Sequence, residues 1–234
     1  PGNFVPGLQD LATITYTSGT TGVPKGVMMT FESLSYSVSL AIDQIHEVVG
    51  IPKHPRLFSY LPLSHVAERM VIALFGLYEG GMISFAESLE TFGANLSDTK
   101  PHLFFGVPRI WSKFQEKILE KMPQQKLNRL LGIPLIGMLV KNKIKKALGL
   151  SESIINLSGA APIPPDLLLW FKRLGIEIRE VYGMTENCAL SHINLEKIKI
   201  GTVGKAWPGI ETRISAQGEI QTRHLGPMLG YYKA

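Results

Sequence analysis

Short apolar runs alternate with longer helical patterns through most of the chain. Apolar and β-branched runs predict strands, the first of them buried, at Leu11–Tyr16, Leu57–Leu61, Met82–Ala86, Leu103–Val107, Ile154–Leu157 and Ile176–Val181. Helical patterns predict helices at Phe31–Val49, from Ser64 as N-cap to Gly80, at Leu89–Ser97, Pro108–Met122, Lys126–Leu148 and Pro165–Leu174. Strands spaced by helices predict an α/β fold with a mostly parallel sheet flanked by helices.

Several predicted helices have recognisable end signals. Thr30 is suited to accept hydrogen bonds from the free N–H groups at a helix N-terminus. Pro108 and Pro165 stand near helix starts, where a missing N–H costs nothing. Gly50 and Gly175 are placed to end the helices that precede them.

The helical pattern disappears after Glu186. Gly201–Ser215 and Glu219–Arg223 predict short strands joined by turns, which we interpret as the start of a small β-rich, barrel-like lobe. We therefore expect an α/β portion over residues 1–190 and a β-rich portion over residues 191–234.

The composition is that of a globular protein, with 45% hydrophobic and 18% charged residues. A net charge of +5 suits anionic small molecules or lipid headgroups and is too weak to indicate a nucleic acid partner. The single cysteine, Cys188, excludes an internal disulfide and indicates a reducing, cytoplasmic compartment. The apolar run Leu130–Val140 is too short to span a bilayer.

The most specific motif is an eleven-residue string rich in Gly, Ser and Thr, from Tyr16 to Gly26. Glycines permit unusual backbone conformations, and the hydroxyl and N–H groups can surround phosphate oxygens. Gly26 follows Lys25 where a Walker loop has Ser or Thr, so the string is not a Walker loop. The alternative is a flexible turn of small residues. The predicted phosphate-binding residues are Thr17, Ser18, Gly19, Thr20, Thr21, Gly22 and Lys25.

A second motif, Tyr182-Gly183-Met184-Thr185-Glu186, directly follows a predicted strand. Open α/β sheets bind ligands at the carboxyl ends of their strands. Tyr182 offers a flat face to a base, Thr185 a hydroxyl to phosphate, and Glu186 a hard oxygen to Mg²⁺. The alternative is a strand-to-helix turn in which Glu186 favours a helix N-terminus.

Two weaker motifs also follow predicted strands. Gly159, Ala160 and Ala161 are small enough to let a flat ring approach the backbone, although, taken alone, a tight connection to the helix at Pro165 explains them better. The run from Leu61 ends at His65, and a lone histidine near a helix start is more often structural than catalytic.

The four motifs, in this order, resemble the adenylate-forming superfamily of acyl-CoA synthetases, firefly-type luciferases and peptide-synthetase adenylation domains. Phe58–Met70 and Phe104–Trp111 are similar to long-chain acyl-CoA synthetases, and Gly218–Tyr232 resembles the next conserved segment. The resemblance implies an incomplete large N-terminal domain, without the ribose-binding aspartate and the C-terminal domain that carries a catalytic lysine. Sheet edges are therefore expected to be exposed.

The resemblance also implies roles for individual residues. The string from Thr17 to Lys25 would hold the ATP phosphates, and the adenine would lie between residues 159–161 and Tyr182-Gly183. The implied catalytic set is Lys25, His65 beside the acyl carboxylate, Thr185 on phosphate and Glu186 on Mg²⁺. The helix that begins at His65 would line the acyl tunnel.

The implied reaction activates a long-chain fatty acid with ATP and passes the acyl group to CoA, and this chain alone is expected to be inactive. Adenylation of another carboxylic acid and nucleotide binding without turnover are the alternatives.

The sequence departs from the family pattern at two places. Glu68 and Arg69 stand where some relatives carry an aromatic gate, and Phe31 stands where many carry histidine.

The basic stretch Lys113–Lys146 surrounds the apolar run Leu130–Val140. It predicts either peripheral contact with a membrane or a solvated helix face with a buried stripe. A homodimer remains an open expectation. Cys188 is expected to be a packed residue and not a nucleophile.

Overall fold

The computed structural model describes residues 5–17 and 23–233. Its largest element is a seven-stranded sheet in the order β4-β3-β5-β6-β7-β8-β9. The first five strands in that order are parallel and the last two antiparallel, which confirms the predicted mostly parallel α/β fold. The strands are β3 (Arg56–Ser59), β4 (Met82–Phe85), β5 (Leu103–Phe105), β6 (Ile155–Ser158), β7 (Ile178–Tyr182), β8 (His192–Ile193) and β9 (Lys205–Ala206).

Helices pack on both faces of this sheet. They are α1 (Phe31–Val48), α2 (Phe75–Tyr78), α3 (Phe92–Thr99), α4 (Pro108–Lys121), α5 (Gln124–Leu131), α6 (Pro134–Ala147) and α7 (Pro165–Arg173). The middle of β5 shows the two layers directly. Leu103 and Phe105 belong to one buried apolar cluster and Phe104 to another. Because successive side chains on a strand point to opposite faces, each face of the sheet has its own core.

The predicted helix ends are largely confirmed. The Oγ1 atom of Thr30 accepts a hydrogen bond from the Ser33 N–H at 3.1 Å, and Gly50 ends α1 with a left-handed φ of 73°. Pro108 and Pro165 are the first residues of α4 and α7.

The prediction of one helix over Lys126–Leu148 was wrong. The chain forms two helices there, α5 and α6, with Gly132 at the end of the first and Pro134 at the start of the second. Proline has no N–H to donate to the preceding turn and its ring clashes with the carbonyl four residues back, so the helix cannot continue through Pro134.

A second, three-stranded antiparallel sheet has the order β1-β2-β12, with β1 (Leu11–Thr17), β2 (Lys25–Thr30) and β12 (Gly230–Tyr231). The prediction that the first strand is buried was wrong: Leu11 and Tyr16 are exposed and only Thr15 is fully buried. The reason is that β1 has a neighbour on one side alone.

Sheet edges are exposed as expected. Beside β1, the edge strand β4 leaves the side chains of Met82 and Phe85 more than half exposed.

The strands after residue 190 do not all form a sheet of their own. The hairpin of β10 (Glu211–Ile214) and β11 (Ile220–Arg223) is separate, whereas β8 pairs with β7 and β12 pairs with β2. The division near residue 190 stays a prediction. Within the part of the chain that the structure describes, no helix has the length and apolar character needed to cross a bilayer.

Candidate active site

The string from Tyr16 to Gly26 connects the two strands of an antiparallel hairpin. Thr17 ends β1 and faces Lys25 at the start of β2, so these two predicted phosphate-binding residues mark the mouth of the connection. The predicted residues Ser18, Gly19, Thr20, Thr21 and Gly22 lie between them, outside the described residues.

Tyr231 on β12 links Lys25 to the second motif. The Lys25 Nζ atom lies 5.2 Å from the centre of the Tyr231 ring, within the range of a cation–π contact. The Tyr231 hydroxyl donates a hydrogen bond of 2.8 Å to Glu186 Oε1. That hydrogen bond, followed by burial, raises the pKa of the Tyr231 hydroxyl. The two motifs, which lie far apart in the sequence, therefore meet through one tyrosine ring.

The backbone also holds Glu186 beside this hairpin. The Met228 N–H donates to the Glu186 carbonyl at 2.9 Å, and the next residue, Leu229, donates to the Met28 carbonyl of β2 at 2.8 Å. The sequence indicated no role for Tyr231, because a two-residue strand is too short to show a side-chain periodicity.

The third motif and the second one leave the carboxyl ends of neighbouring parallel strands. Ser158 at the end of β6 pairs with Glu180 in β7, so Gly159–Ala161 and Tyr182–Glu186 emerge side by side. A Cβ at Gly159 would lie 2.6 Å from Val181 Cγ2, and one at Gly183 would lie 2.4 Å from the Ala189 carbonyl oxygen. Both glycines are therefore required by close packing.

The residues of these two turns differ in exposure. Ala160 has a left-handed φ of 66°, which is unusual for a residue with a Cβ, and Ala161 is exposed. The Tyr182 ring is half-buried and lies 6.0 Å from the His192 ring, centre to centre.

A single 3₁₀ turn over Thr185–Asn187 carries the two predicted polar ligands. The Asn187 side chain accepts a hydrogen bond from the Met184 N–H at 2.9 Å and closes the turn. Thr185 is buried and Glu186 is partly exposed. The alternative interpretation, in which Glu186 opens an α-helix, was wrong because the chain leaves this turn at Cys188 with a left-handed φ of 52°.

His65 caps the helix that follows it. Its Nδ1 atom accepts a hydrogen bond from the Ala67 N–H at 3.2 Å, so the predicted capping role of Ser64 falls to His65 instead. An accepting Nδ1 requires the ring proton to be on Nε2. Burial lowers the pKa of His65, which favours this neutral form.

The helix after His65 contains a wide π-helical segment over Glu68–Leu74, which continues into α2. Such segments are rare and are frequent at functional sites. The Glu68 side chain is fully buried and its carboxylate accepts the Leu61 N–H at 3.2 Å. Burial raises the pKa of Glu68, against the opposing hydrogen bonds from Ser59, Leu61 and Tyr60.

Arg69 joins this π-helix to the hairpin of β1 and β2. Its Nη1 atom donates to Thr13 Oγ1 in β1 at 2.8 Å, and its Nε atom donates to the Leu63 carbonyl at 3.2 Å. The sequence indicated only that Glu68 and Arg69 replace an aromatic gate. The sequence pattern could not show these contacts, because the residues that Glu68 and Arg69 bond to lie outside the helix.

An apolar cavity connects three of the four motifs. Its walls include Val38 of α1, Met70 of the π-helix, His65, Ala160 and Gly183. Its volume is ≈ 90 Å³, whereas small-molecule sites commonly measure roughly 300–1,000 Å³. A long acyl chain would enter it only if the walls move apart.

Cys188 also lines this cavity. It is fully buried, and burial raises the pKa of its thiol to about 11. The thiol is therefore protonated at neutral pH, which agrees with a packed residue and not with a nucleophile.

Residues 4–232 match the family model described as AMP-binding enzyme. The chain belongs to the AMP-binding enzyme family. Among curated members, it is 34% identical to fadD11 of Mycobacterium tuberculosis, provisionally named a fatty-acid–CoA ligase, over 96% of this chain and 44% of that protein. It is 33% identical to long-chain-fatty-acid–CoA ligase ACSBG2 of Xenopus laevis, over 86% of this chain and 31% of that protein. This chain thus spans less than half the length of these relatives.

A solved structure shares the fold. The o-succinylbenzoate CoA synthetase MenE of Bacillus subtilis, in complex with the acyl-adenylate intermediate OSB-AMP, superposes with a TM-score of 0.72 at 21% identity. The match covers 97% of this chain and 43% of MenE. The architecture of this chain is therefore that of adenylate-forming enzymes.

Proposed function

We propose that the protein carrying this chain activates a long-chain fatty acid with ATP and transfers the acyl group to CoA. The observation that carries the proposal is the convergence of the motifs. Lys25 and Glu186 contact the same tyrosine, and His65, Ala160 and Gly183 line one cavity. The names of the fatty-acid–CoA ligases at 33–34% identity support the substrate class.

The chemistry requires charge neutralisation. A carboxylate that approaches a triphosphate is repelled by it, so the site must offset several negative charges. Lys25, at the mouth of the Thr17–Lys25 connection, would contribute one positive charge next to the phosphates. The N–H groups of that connection would add aimed dipoles.

Glu186 fits a magnesium ligand in this setting. Mg²⁺ is commonly held by one or two carboxylates while substrate phosphates and water supply the other oxygens. Glu186 is partly exposed and linked through Tyr231 to the sheet that contains the β1–β2 hairpin, and the described residues contain no cluster of three His, Cys, Asp or Glu side chains that would form a cage. When bound, Mg²⁺ would supply charge neutralisation and orient the phosphate oxygens.

The first step forms a mixed anhydride. An oxygen of the fatty acid carboxylate attacks the α-phosphorus of ATP, the bond from that phosphorus to the bridging oxygen breaks, and pyrophosphate leaves. His65, with its proton on Nε2, would donate a hydrogen bond to the carboxylate and hold it for attack. Tyr182 and the Gly159–Ala161 backbone would flank the adenine.

The second step transfers the acyl group. The CoA sulfur attacks the acyl carbon, the bond to the adenylate oxygen breaks, AMP leaves, and the thiol proton is released. The chain itself needs no covalent nucleophile, in agreement with the protonated, buried Cys188.

A smaller carboxylic acid is the second candidate substrate. The ≈ 90 Å³ cavity favours it, because the space beside His65 and Ala160 is short of what a long acyl chain fills.

Acid-dependent exchange of labelled pyrophosphate into ATP, measured on the protein that carries this chain, tests the proposal. Long-chain acids should stimulate exchange and aryl or amino acids should not. Stimulation by short acids alone would replace the substrate class with the second candidate. If no acid stimulates exchange in a protein that still binds ATP, the proposed reaction is wrong and nucleotide binding without turnover is the function that remains.

A further inference from the structure

The outer face of α6 is apolar at its start. Leu135, Met138 and Leu139 follow the three- and four-residue spacing of one helix face and are 75%, 54% and 64% exposed. Gly137 and Ile144, on the opposite face, are buried. A Cβ at Gly137 would lie 3.0 Å from the Leu131 carbonyl, so α6 packs closely against the end of α5. Packing thus turns the apolar residues away from the protein.

The two helices that carry this apolar face are strongly basic. Residues 124–147 contain six basic side chains and no acidic one. The whole chain has 24 basic and 19 acidic residues, so the rest of it carries 18 basic against 19 acidic residues. The positive charge of the protein is therefore concentrated in α5 and α6. The six cations are Lys126, Arg129, Lys141, Lys143, Lys145 and Lys146.

We propose that α5 and α6 dock on an anionic phospholipid surface. Helices that lie in a membrane interface combine large apolar side chains with flanking lysine and arginine. Leu135, Met138 and Leu139 would enter the boundary between headgroups and acyl chains. The lysines, with long flexible stems, would place their ammonium groups at the level of the lipid phosphates.

The charge argues for lipid over a second copy of this chain. A two-fold contact through α6 would bring the six cations of one copy towards those of the other, and like charges across an interface are unfavourable. An anionic bilayer offers apolar depth and negative charge together. This docking does not depend on the proposed reaction.

Co-sedimentation with vesicles tests the proposal. The folded chain should sediment with vesicles of phosphatidylcholine and phosphatidylglycerol, much less with phosphatidylcholine alone, and less as salt rises. Leu135→Ser/Leu139→Ser should weaken binding to anionic vesicles on the order of tenfold or more. Lys141→Gln/Lys143→Gln should weaken it and flatten its salt dependence.

Matched controls distinguish an effect of the apolar face of α6 from an effect of exposed leucines in general. Leu89→Ser/Leu225→Ser alters two leucines that are 83% and 78% exposed elsewhere, and should leave binding unchanged. Equal binding by the Leu135→Ser/Leu139→Ser variant, or no binding by the folded wild-type chain, would overturn the proposal. A dimer that dissociates in this variant, without vesicle binding, would assign the face to a second copy. If the Leu135→Ser/Leu139→Ser variant lost thermal stability but bound vesicles as before, another part of the same protein would cover this face. That result would also overturn the proposal.

Discussion

The Tyr231 side chain contacts a residue from each of the two most specific motifs. Its ring lies under the Lys25 ammonium group and its hydroxyl holds the Glu186 carboxylate. If these two residues act on one nucleotide, each should contribute to the same chemical step.

Lys25→Ala and Glu186→Ala should each slow adenylation on the order of 10²-fold or more, as for the loss of a group that stabilises developing charge. Pyrophosphate exchange measures this rate. Lys53→Ala and Glu120→Ala change exposed residues of the same type away from the site and should leave exchange unaffected. Wild-type rates in both site variants would show that the residues are misassigned.

Tyr231→Phe should slow the same exchange by about tenfold, because it removes a hydrogen bond to a charged group and keeps the ring beneath Lys25. In the Glu186→Ala background the same substitution should have little further effect, since its partner is already gone. Fully additive losses would separate Tyr231 from Glu186.

Glu68 gives a pH-dependent prediction. Burial raises its pKa in the folded chain above the ordinary value of 4.5. The stability that this group contributes is then complete below pH 4.5 and is lost as the pH rises through the folded-state pKa. Gln at position 68 has the same shape and does not ionise.

We therefore expect Glu68→Gln to gain stability relative to the wild type as the pH rises from 4.5 towards neutral. Urea unfolding of both proteins across this range measures the difference. Glu120→Gln, at an exposed position, should show no such trend. A difference that shrinks with rising pH would mean that Glu68 is stabilised in its charged form.

At the scale of single elements, the turn after β7 is closely packed. Gly183 approaches the Ala189 carbonyl oxygen so closely that a Cβ would lie 2.4 Å from it. The turn that carries Thr185 and Glu186 starts from this contact.

Gly183→Ala should destabilise the chain by roughly 1–3 kcal/mol, as for other forced contacts, and weaken AMP binding with it. Gly93→Ala is the matched control, because Gly93 lies within α3 with no atom inside 4 Å of an added Cβ. It should stabilise by about 0.5–1 kcal/mol. Urea unfolding and calorimetric AMP titration measure both effects, and equal stability of the two variants would contradict the close approach of Gly183 to Ala189.

Short sequence signals predicted the helix ends that depend only on neighbouring residues. The N-cap of Thr30 and the stop at Gly50 were predictable because each is determined by a few neighbouring residues. The break before Pro134 was also encoded locally, and a long apolar pattern concealed it. The π-helix had no such signal, since a wider turn leaves the composition of a helix unchanged.

At the scale of the whole molecule, the alternation of strand and helix patterns was sufficient to predict the mostly parallel sheet. The pairing of β12 with β2 was not predictable. It joins residues near opposite ends of the chain, and only two residues of each strand are paired. The same is true of Tyr231 and Glu186, and of Arg69 and Thr13. The sequence therefore indicated candidate binding residues, and long-range contacts determine how these candidates are brought together.

The hairpin at Thr17–Lys25 and the turn at Tyr182–Glu186 should bind one and the same nucleotide. A crystal structure of the protein with a non-hydrolysable acyl-adenylate analogue tests this most directly. We predict the adenine between Tyr182 and the Gly159–Ala161 backbone, the phosphate mimic between Thr185 and Lys25, and the acyl group directed past His65. An analogue bound away from Tyr182, or one that contacts only one of the two segments, would contradict the account.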